Sequence, residues 1–156
     1  MRLTAAIAAL TLVADQVAKA AVVHLLRLDT RLAIDVLPPF LNFRMAWNRG
    51  VNFGLFAHDA DVMRWVLIAL ALAISVWVWM WVRREAPGAM VRISAGLLIG
   101  GALGNVIDRV IYGAVADFLN MSCCGFHNPF SFNLADVAIF VGAFGLVVFS
   151  GRHKTP

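Results

Sequence analysis

The sequence predicts a mainly helical membrane protein: a bundle of four transmembrane helices with a small extracytoplasmic antiparallel β-sheet and a short surface helix. Three observations carry this. Of 156 residues, 62% are hydrophobic and only 14% charged, with a mean hydropathy of +0.82, well above the apolar share of an ordinary soluble domain. Four apolar stretches, at about 3–26, 64–82, 93–112 and 132–150, each approach the ~20 residues that cross ~30 Å of hydrocarbon as helix. Between the first two, within a segment at about 28–62 expected to hold the sheet, residues 41–48 alternate with a period of two. A single domain over 1–156 accommodates all of it, with no internal repeat and no low-complexity tract.

The first stretch has a rival reading. Arg2, the apolar run 3–14 and Ala18-Lys19-Ala20 imitate a signal peptide with its A-x-A cleavage site. Against it, Asp15 and Lys19 stand four apart on one helix face, an ion-pair spacing suited to a bundle interior. In the next segment Leu41, Phe43, Met45 and Trp47 alternate with Asn42, Arg44, Ala46 and Asn48, the pattern of a strand with one apolar face. Gly50 permits a turn, so residues 51–56 are expected to return as a second strand. The aromatic face so formed (Phe40, Phe43, Trp47, Phe53, Phe56) suits the headgroup zone. Residues 57–63 are expected to form a short surface helix or linker. Pro38-Pro39 marks the entry to the sheet region, and Pro87-Gly88 breaks the link between spans two and three.

Orientation follows from the basic residues. Arg83, Arg84 and Arg92 crowd the link between spans two and three, and Arg152 and Lys154 follow span four, so both ends of the chain are expected in the cytoplasm. Arg31, Arg44 and Arg49 in the outer segment weigh against this. The net charge of +4, from 13 basic and 9 acidic residues, is scattered and forms no run that tracks a phosphate backbone. Membrane lipids are thus expected partners and nucleic acid is not. Cys123 and Cys124 are adjacent and read as free thiols, and no Cys/His grouping has zinc spacing, so neither a metal nor a cofactor is expected.

The acids are the candidates for chemistry. Asp at the centre of a spanning helix costs roughly 2.5–3.5 kcal/mol, which makes an acid in such a chain a functional candidate. Asp117 falls where the chain should leave the third span, after Tyr112 and Gly113, and Asp136 falls in the first turn of the fourth. Asn133, three residues before Asp136, can orient it. Two carboxylates in contact share a proton, so one can accept a proton from water while the other polarises a carbonyl. Equally open at this level is a structural reading, with Asp117 capping a helix or pairing with Arg109 and Asp136 capping the fourth helix. On the third span Gly96, Gly100 and Gly104 recur every four residues, a packing face. Asn105, Asp108 and Arg109 share its outer turn. There Asp108 fits an ion-pair network as well as a direct role, and Arg109 offers five donors to a carbonyl or headgroup. No H-E-x-x-H, G-x-S-G or Walker A motif is present.

Gly100-Gly101-Ala102-Leu103-Gly104-Asn105-Val106-Ile107-Asp108-Arg109, Val115-Ala116-Asp117-Phe118 and Phe132-Asn133-Leu134-Ala135-Asp136 closely resemble motifs of the bacterial lipoprotein signal peptidases. Asp15-Gln16-Val17-Ala18-Lys19, and Asn48-Arg49-Gly50 before Phe53-Gly54, match the family's two earlier motifs, in order. The resemblance implies an inner-membrane aspartic endopeptidase, active at the periplasmic side, that cuts prolipoproteins just before a cysteine bearing diacylglyceryl. It implies Asp117 and Asp136 as the catalytic pair, with Asp15, Lys19, Asn48, Gly101, Asn105, Arg109, Asn133 and Ala135 supporting the pair or contacting substrate. It further implies sensitivity to the cyclic peptide globomycin. A monomer is expected. The loop from Cys123 to Pro129 and Asn52 depart from the family pattern and are expected to affect which substrates fit. Two other classes remain open: a small proton-coupled transporter using the acids as a relay, and a non-catalytic assembly factor built on glycine packing.

Overall fold

The computed structural model describes residues 1–50, 60–126 and 128–150. Helix α1 (Arg2–Lys19) continues as a π-helical segment, Ala20–Leu25, and a four-residue helix α2 (Leu28–Arg31) leads to strands β1 (Ala33–Leu37) and β2 (Leu41–Asn48). Two long helices follow, α3 (Ala60–Glu85) and α4 (Ala89–Tyr112), then strand β3 (Val115–Met121) and helix α5 (Leu134–Ser150). The spans at Arg2–Leu25, Asp61–Glu85 and Ala89–Tyr112, of 24, 25 and 24 residues, are long and apolar enough to cross a membrane. Helix α5 is shorter at 17 residues, which as helix extends about 25 Å.

Helix α4 is the centre of the bundle and packs against α1, α3 and α5. Its adjacent glycines explain how two neighbours approach at once. A Cβ on Gly100 would lie 2.5 Å from the Ala8 carbonyl oxygen of α1, and one on Gly101 would lie 2.5 Å from the Ala135 carbonyl oxygen of α5. Helix α1 answers with a stripe of buried residues at Thr4, Ala8, Thr11, Asp15 and Lys19, the spacing of one helical face. Towards the α3–α4 link, Val78 and Val82 of α3 close an apolar cluster with Ala8, Ala95 and Ile99. Large apolar side chains such as Leu10, Trp77, Phe140 and Phe144 point outward, as in a bundle whose solvent is hydrocarbon.

The sheet differs from expectation in its partners. Its order is β1-β2-β3, all antiparallel: Ile34 pairs with Phe43, and Phe43 with Leu119. The predicted return strand at 51–56 lies outside the described residues, as do Asn52, Phe53, Phe56 and the basic tail. Asp117, expected where the chain leaves the third span, sits within a strand, β3, that the sequence reading did not include, opposite Ala46. The reason is burial on both sides. Val115, Ala116, Asp117 and Phe118 are all buried, so the strand has no alternation of apolar and polar residues to announce it. Ala60 to Met63, expected in a surface helix or linker, belong to the first turn of α3. Under the sheet, Phe118 meets Phe43 edge-on at 5.8 Å and packs with Val22 and Leu28.

Because the Gly100 contact is with backbone, which cannot yield, Gly100→Leu should separate α1 from α4. The expected loss of stability is about 1–3 kcal/mol, read as a lower unfolding midpoint in detergent micelles.

Candidate active site

Lys19 is buried between two acids. Its Nζ lies 2.8 Å from Asp15 Oδ2 and 2.8 Å from Asp108 Oδ2. Gln16, one turn earlier on the same face, donates to Asp15 Oδ2 (3.2 Å) and Asp108 Oδ1 (3.1 Å). Each acid then reaches a second element. Asp15 Oδ1 accepts the Ala135 N–H (2.9 Å), and Asp108 Oδ2 accepts the Ala116 N–H (3.1 Å). Ala135 immediately precedes Asp136, and Ala116 immediately precedes Asp117. Thus one three-charge cluster ties helices α1 and α4 to the backbone beside both candidate acids.

Asp136 occupies the third position of α5, where it completes a reciprocal cap. The Asp136 N–H donates to Asn133 Oδ1 (2.8 Å), and the Asn133 N–H donates to Asp136 Oδ2 (3.2 Å). This capping box satisfies two otherwise orphaned donors at the helix start. The other oxygen, Asp136 Oδ1, accepts from Asn105 Nδ2 (2.9 Å). Asp117 is held from two sides, by Asn133 Nδ2 (2.6 Å) on Oδ1 and by Asn48 Nδ2 (3.1 Å) on Oδ2. The Asn133 side chain therefore bonds both the Asp117 carboxylate and the Asp136 backbone N–H. Asn105 joins the same group, its Oδ1 accepting from Asn133 Nδ2 (3.3 Å) and Lys19 Nζ (3.4 Å).

The electrostatics follow from this crowding. Burial, reinforced by the negative charge of Asp136, pushes the Asp117 carboxyl up to about 6; hydrogen bonds from Asn48 and Asn133 and the charge of Lys19 oppose the rise. Arg109 lies within electrostatic reach of Asp136, Asp117 and Asp108. Its Nη1 donates to the Asn105 carbonyl (3.3 Å), while its buried Nε has no partner among the described residues. A guanidinium with spare donors beside two acids can receive a carbonyl oxygen.

Each candidate residue thus has a place. Asp117, Asp136, Asn48, Asn105, Asn133 and Arg109 gather around one spot, while Asp15, Lys19 and Asp108 form the scaffold behind it. Gly101 and Ala135 are where α4 and α5 touch. Among the described residues Asp117 forms no ion pair with Arg109, whereas Asp136 does cap its helix, as the structural reading expected. Asp108 belongs to the ion-pair network. Gln16 was missed as a site residue, although its position three residues before Lys19 puts it on the same face. Cys123 and Cys124 are free and exposed.

The sequence model for signal peptidase (SPase) II matches residues 7–151. The chain belongs to the signal peptidase II family. This makes it a peptidase, and its long apolar helices make it a multi-pass membrane member. It is 40% identical over 143 residues to the lipoprotein signal peptidase of Methylobacterium sp. (strain 4-46), covering 92% of this chain and 85% of that one. To the lipoprotein signal peptidase of Burkholderia mallei (strain SAVP1) it is 41% identical over 133 residues, covering 85% and 78%. Two solved bacterial membrane enzyme structures superpose with a TM-score of 0.78 at 24% and 25% identity, each over 99% of this chain and over 91% and 96% of theirs. The signal peptidase II fold is therefore that of these bacterial membrane enzymes.

Removing the buried cation alone leaves two acids facing each other without compensation. Lys19→Met is expected to cost about 3–5 kcal/mol, measured by unfolding in micelles. Adding Asp15→Asn and Asp108→Asn should recover most of that loss, because the amides still accept the Ala135 and Ala116 N–H groups.

Proposed function

We propose that this family member is an aspartic endopeptidase that removes the signal peptide from diacylglyceryl-modified prolipoproteins, cutting before the lipidated cysteine with Asp117 and Asp136 as the catalytic pair. The observation that carries this reading is the single Asn133 side chain bonded to Asp117 and, through the helix cap, to Asp136. The lipoprotein signal peptidases to which the chain is similar support the substrate class. The cytoplasmic membrane is the proposed location, with the link bearing Arg83, Arg84 and Arg92 inside and the acids at the opposite, periplasmic end. The enzyme would act as a monomer.

In the free enzyme Asp117 keeps its proton up to about pH 6, the value to which burial and the charge of Asp136 raise it. The ionised carboxylate takes a proton from water as the water oxygen attacks the scissile carbonyl carbon. The other carboxyl gives its proton to the carbonyl oxygen, and Arg109 stabilises the charge developing there. Collapse breaks the C–N bond, the amine nitrogen of the cysteine receives the proton taken from water, and the hydroxyl proton returns to the pair. No covalent intermediate is needed. A relay for transport would need polar groups along the bundle, and Ser75 and Ser94 instead return their hydroxyls to their own helix carbonyls, at 2.7 and 2.9 Å.

Asp117→Asn and Asp136→Asn should each lower cleavage of a diacylglyceryl prolipopeptide by at least ~10³-fold while the protein remains folded. Retained turnover in either variant would count against the pair. Chelators should have no effect and globomycin should inhibit.

The raised Asp117 pKa also fixes signs. Because the competent form holds one proton, kcat/KM should fall as pH rises through about 6, while the kcat profile moves to higher pH as bound substrate excludes water. Folding stability should fall over the same window, from the ordinary Asp range near ~4 up to about 6, since the folded state favours protonated Asp117. Asp117→Asn should abolish that slope in thermal unfolding curves.

A further inference from the structure

Beyond the acids, a cavity of about 580 Å³ opens over the sheet. Its floor is a row of polar residues that pair directly across all three strands: Asp35 with Asn42, and Asn42 with Asn120. Directly paired residues present their side chains on one face. Asn42 and Asn120 are 6% and 2% exposed, so these two lie deep, while Asp35 is exposed at the edge of the row. With its amide oriented to satisfy both ends, Asn42 donates to the Leu41 carbonyl (3.1 Å) and Asp35 Oδ1 (3.3 Å).

One wall is the Pro38–Pro39 turn, and the other is the segment after β3, contributed by Ser122 and Asn128. Asn120 braces that wall. Its Nδ2 donates to the carbonyls of Asn128 (2.8 Å) and Phe130 (2.9 Å), its Oδ1 accepts from Ser122 Oγ (3.3 Å), and Ser122 Oγ accepts the Asn128 N–H (3.1 Å). The wall is therefore built. At the rim stands Arg44. It is exposed, and among the described residues its guanidinium makes no hydrogen bond or ion pair, so its donors are available.

We propose that this cavity receives the residues that follow the lipid-bearing cysteine, in extended form, and that Arg44 favours an acidic side chain among them. This rests on the peptidase reading above. The geometry is that of β3, which carries Asp117 and, three residues further on, Asn120. At ~3.3 Å per residue those positions are about 10 Å apart, the length of three extended residues of substrate. A chain cut at Asp117 that continues along the sheet reaches the cavity with its third or fourth residue. The signal segment is apolar and belongs with the spans. The cavity is polar and lies further along β3 from the end of α4, which suits the hydrophilic mature segment. Asp35, on the same floor, opposes an acidic side chain and limits the preference.

The test uses the full-length protein in micelles at low salt. Three diacylglyceryl prolipopeptides are compared, identical except for Ser, Asp or Lys at the third and fourth residues after the cysteine. The wild type should cut the Asp peptide with a kcat/KM at least ~3-fold above the Lys peptide, mainly through KM. Arg44→Glu should invert that ratio, and Asp35→Asn should enlarge it. Each ratio is taken within one variant, so an overall loss of activity does not alter it. Equal kcat/KM for the three peptides in the wild type, or a ratio unmoved by Arg44→Glu, overturns the cavity assignment and leaves the peptidase reading intact. Failure of the wild type to cut any of the three overturns both.

Discussion

Lys19 is the constraint on which the arrangement rests. Held 2.8 Å from each of Asp15 and Asp108, it allows two acidic side chains to lie buried within a bundle whose surroundings are hydrocarbon. Each charge in such a place carries a desolvation cost of several kcal/mol, offset only when every remaining lone pair finds a donor. Here the spare lone pairs are given to backbone N–H groups, Ala135 on one side and Ala116 on the other. Satisfaction of the charges and placement of the neighbouring acids are thus the same set of contacts. A fault in the cluster would be felt at both Asp117 and Asp136.

The two acids come from different kinds of element, and this suits unequal roles. Asp136 is at the start of a helix, bonded by its own cap, where partial positive charge favours an anion. Asp117 lies in the central stretch of a doubly buried strand, where desolvation favours the protonated form. Asn133 and Asn105 stand between them as amides, which can donate to one acid while accepting elsewhere without carrying charge. In the proposed mechanism the environments hold the proton unequally, and Arg109 supplies a cation facing the reacting oxygen.

The close helix contacts make this precision possible. Two neighbouring glycines let α4 receive α1 on one side and α5 on the other, bringing Asp15 near enough to Gly104 that a Cβ there would lie 2.5 Å from Asp15 Oδ2. Small residues thereby set the distances on which the ion pairs and hydrogen bonds depend. The sheet performs the corresponding task beyond the helix ends, since β2 delivers Asn48 to Asp117 and β3 carries both the acid and Asn120, one residue of the cavity floor.

Much of this was legible in the residues themselves. The spans could be read because hydrocarbon demands long apolar helices, and the Asp15/Lys19 pair because four residues return to one helix face. The cap formed by Asn133 and Asp136 was legible for the same local reason, a three-residue spacing within one turn. Tertiary structure alone decided the rest. That Lys19 also serves Asp108, that Asp117 lies in a strand paired with β2, and that Asn133 reaches across to it are contacts between segments tens of residues apart. Local periodicity holds no record of such contacts, and a strand buried on both faces loses even its alternation. The sequence determined which residues could not be left alone in a membrane; only the packed chain determined which partner each one found.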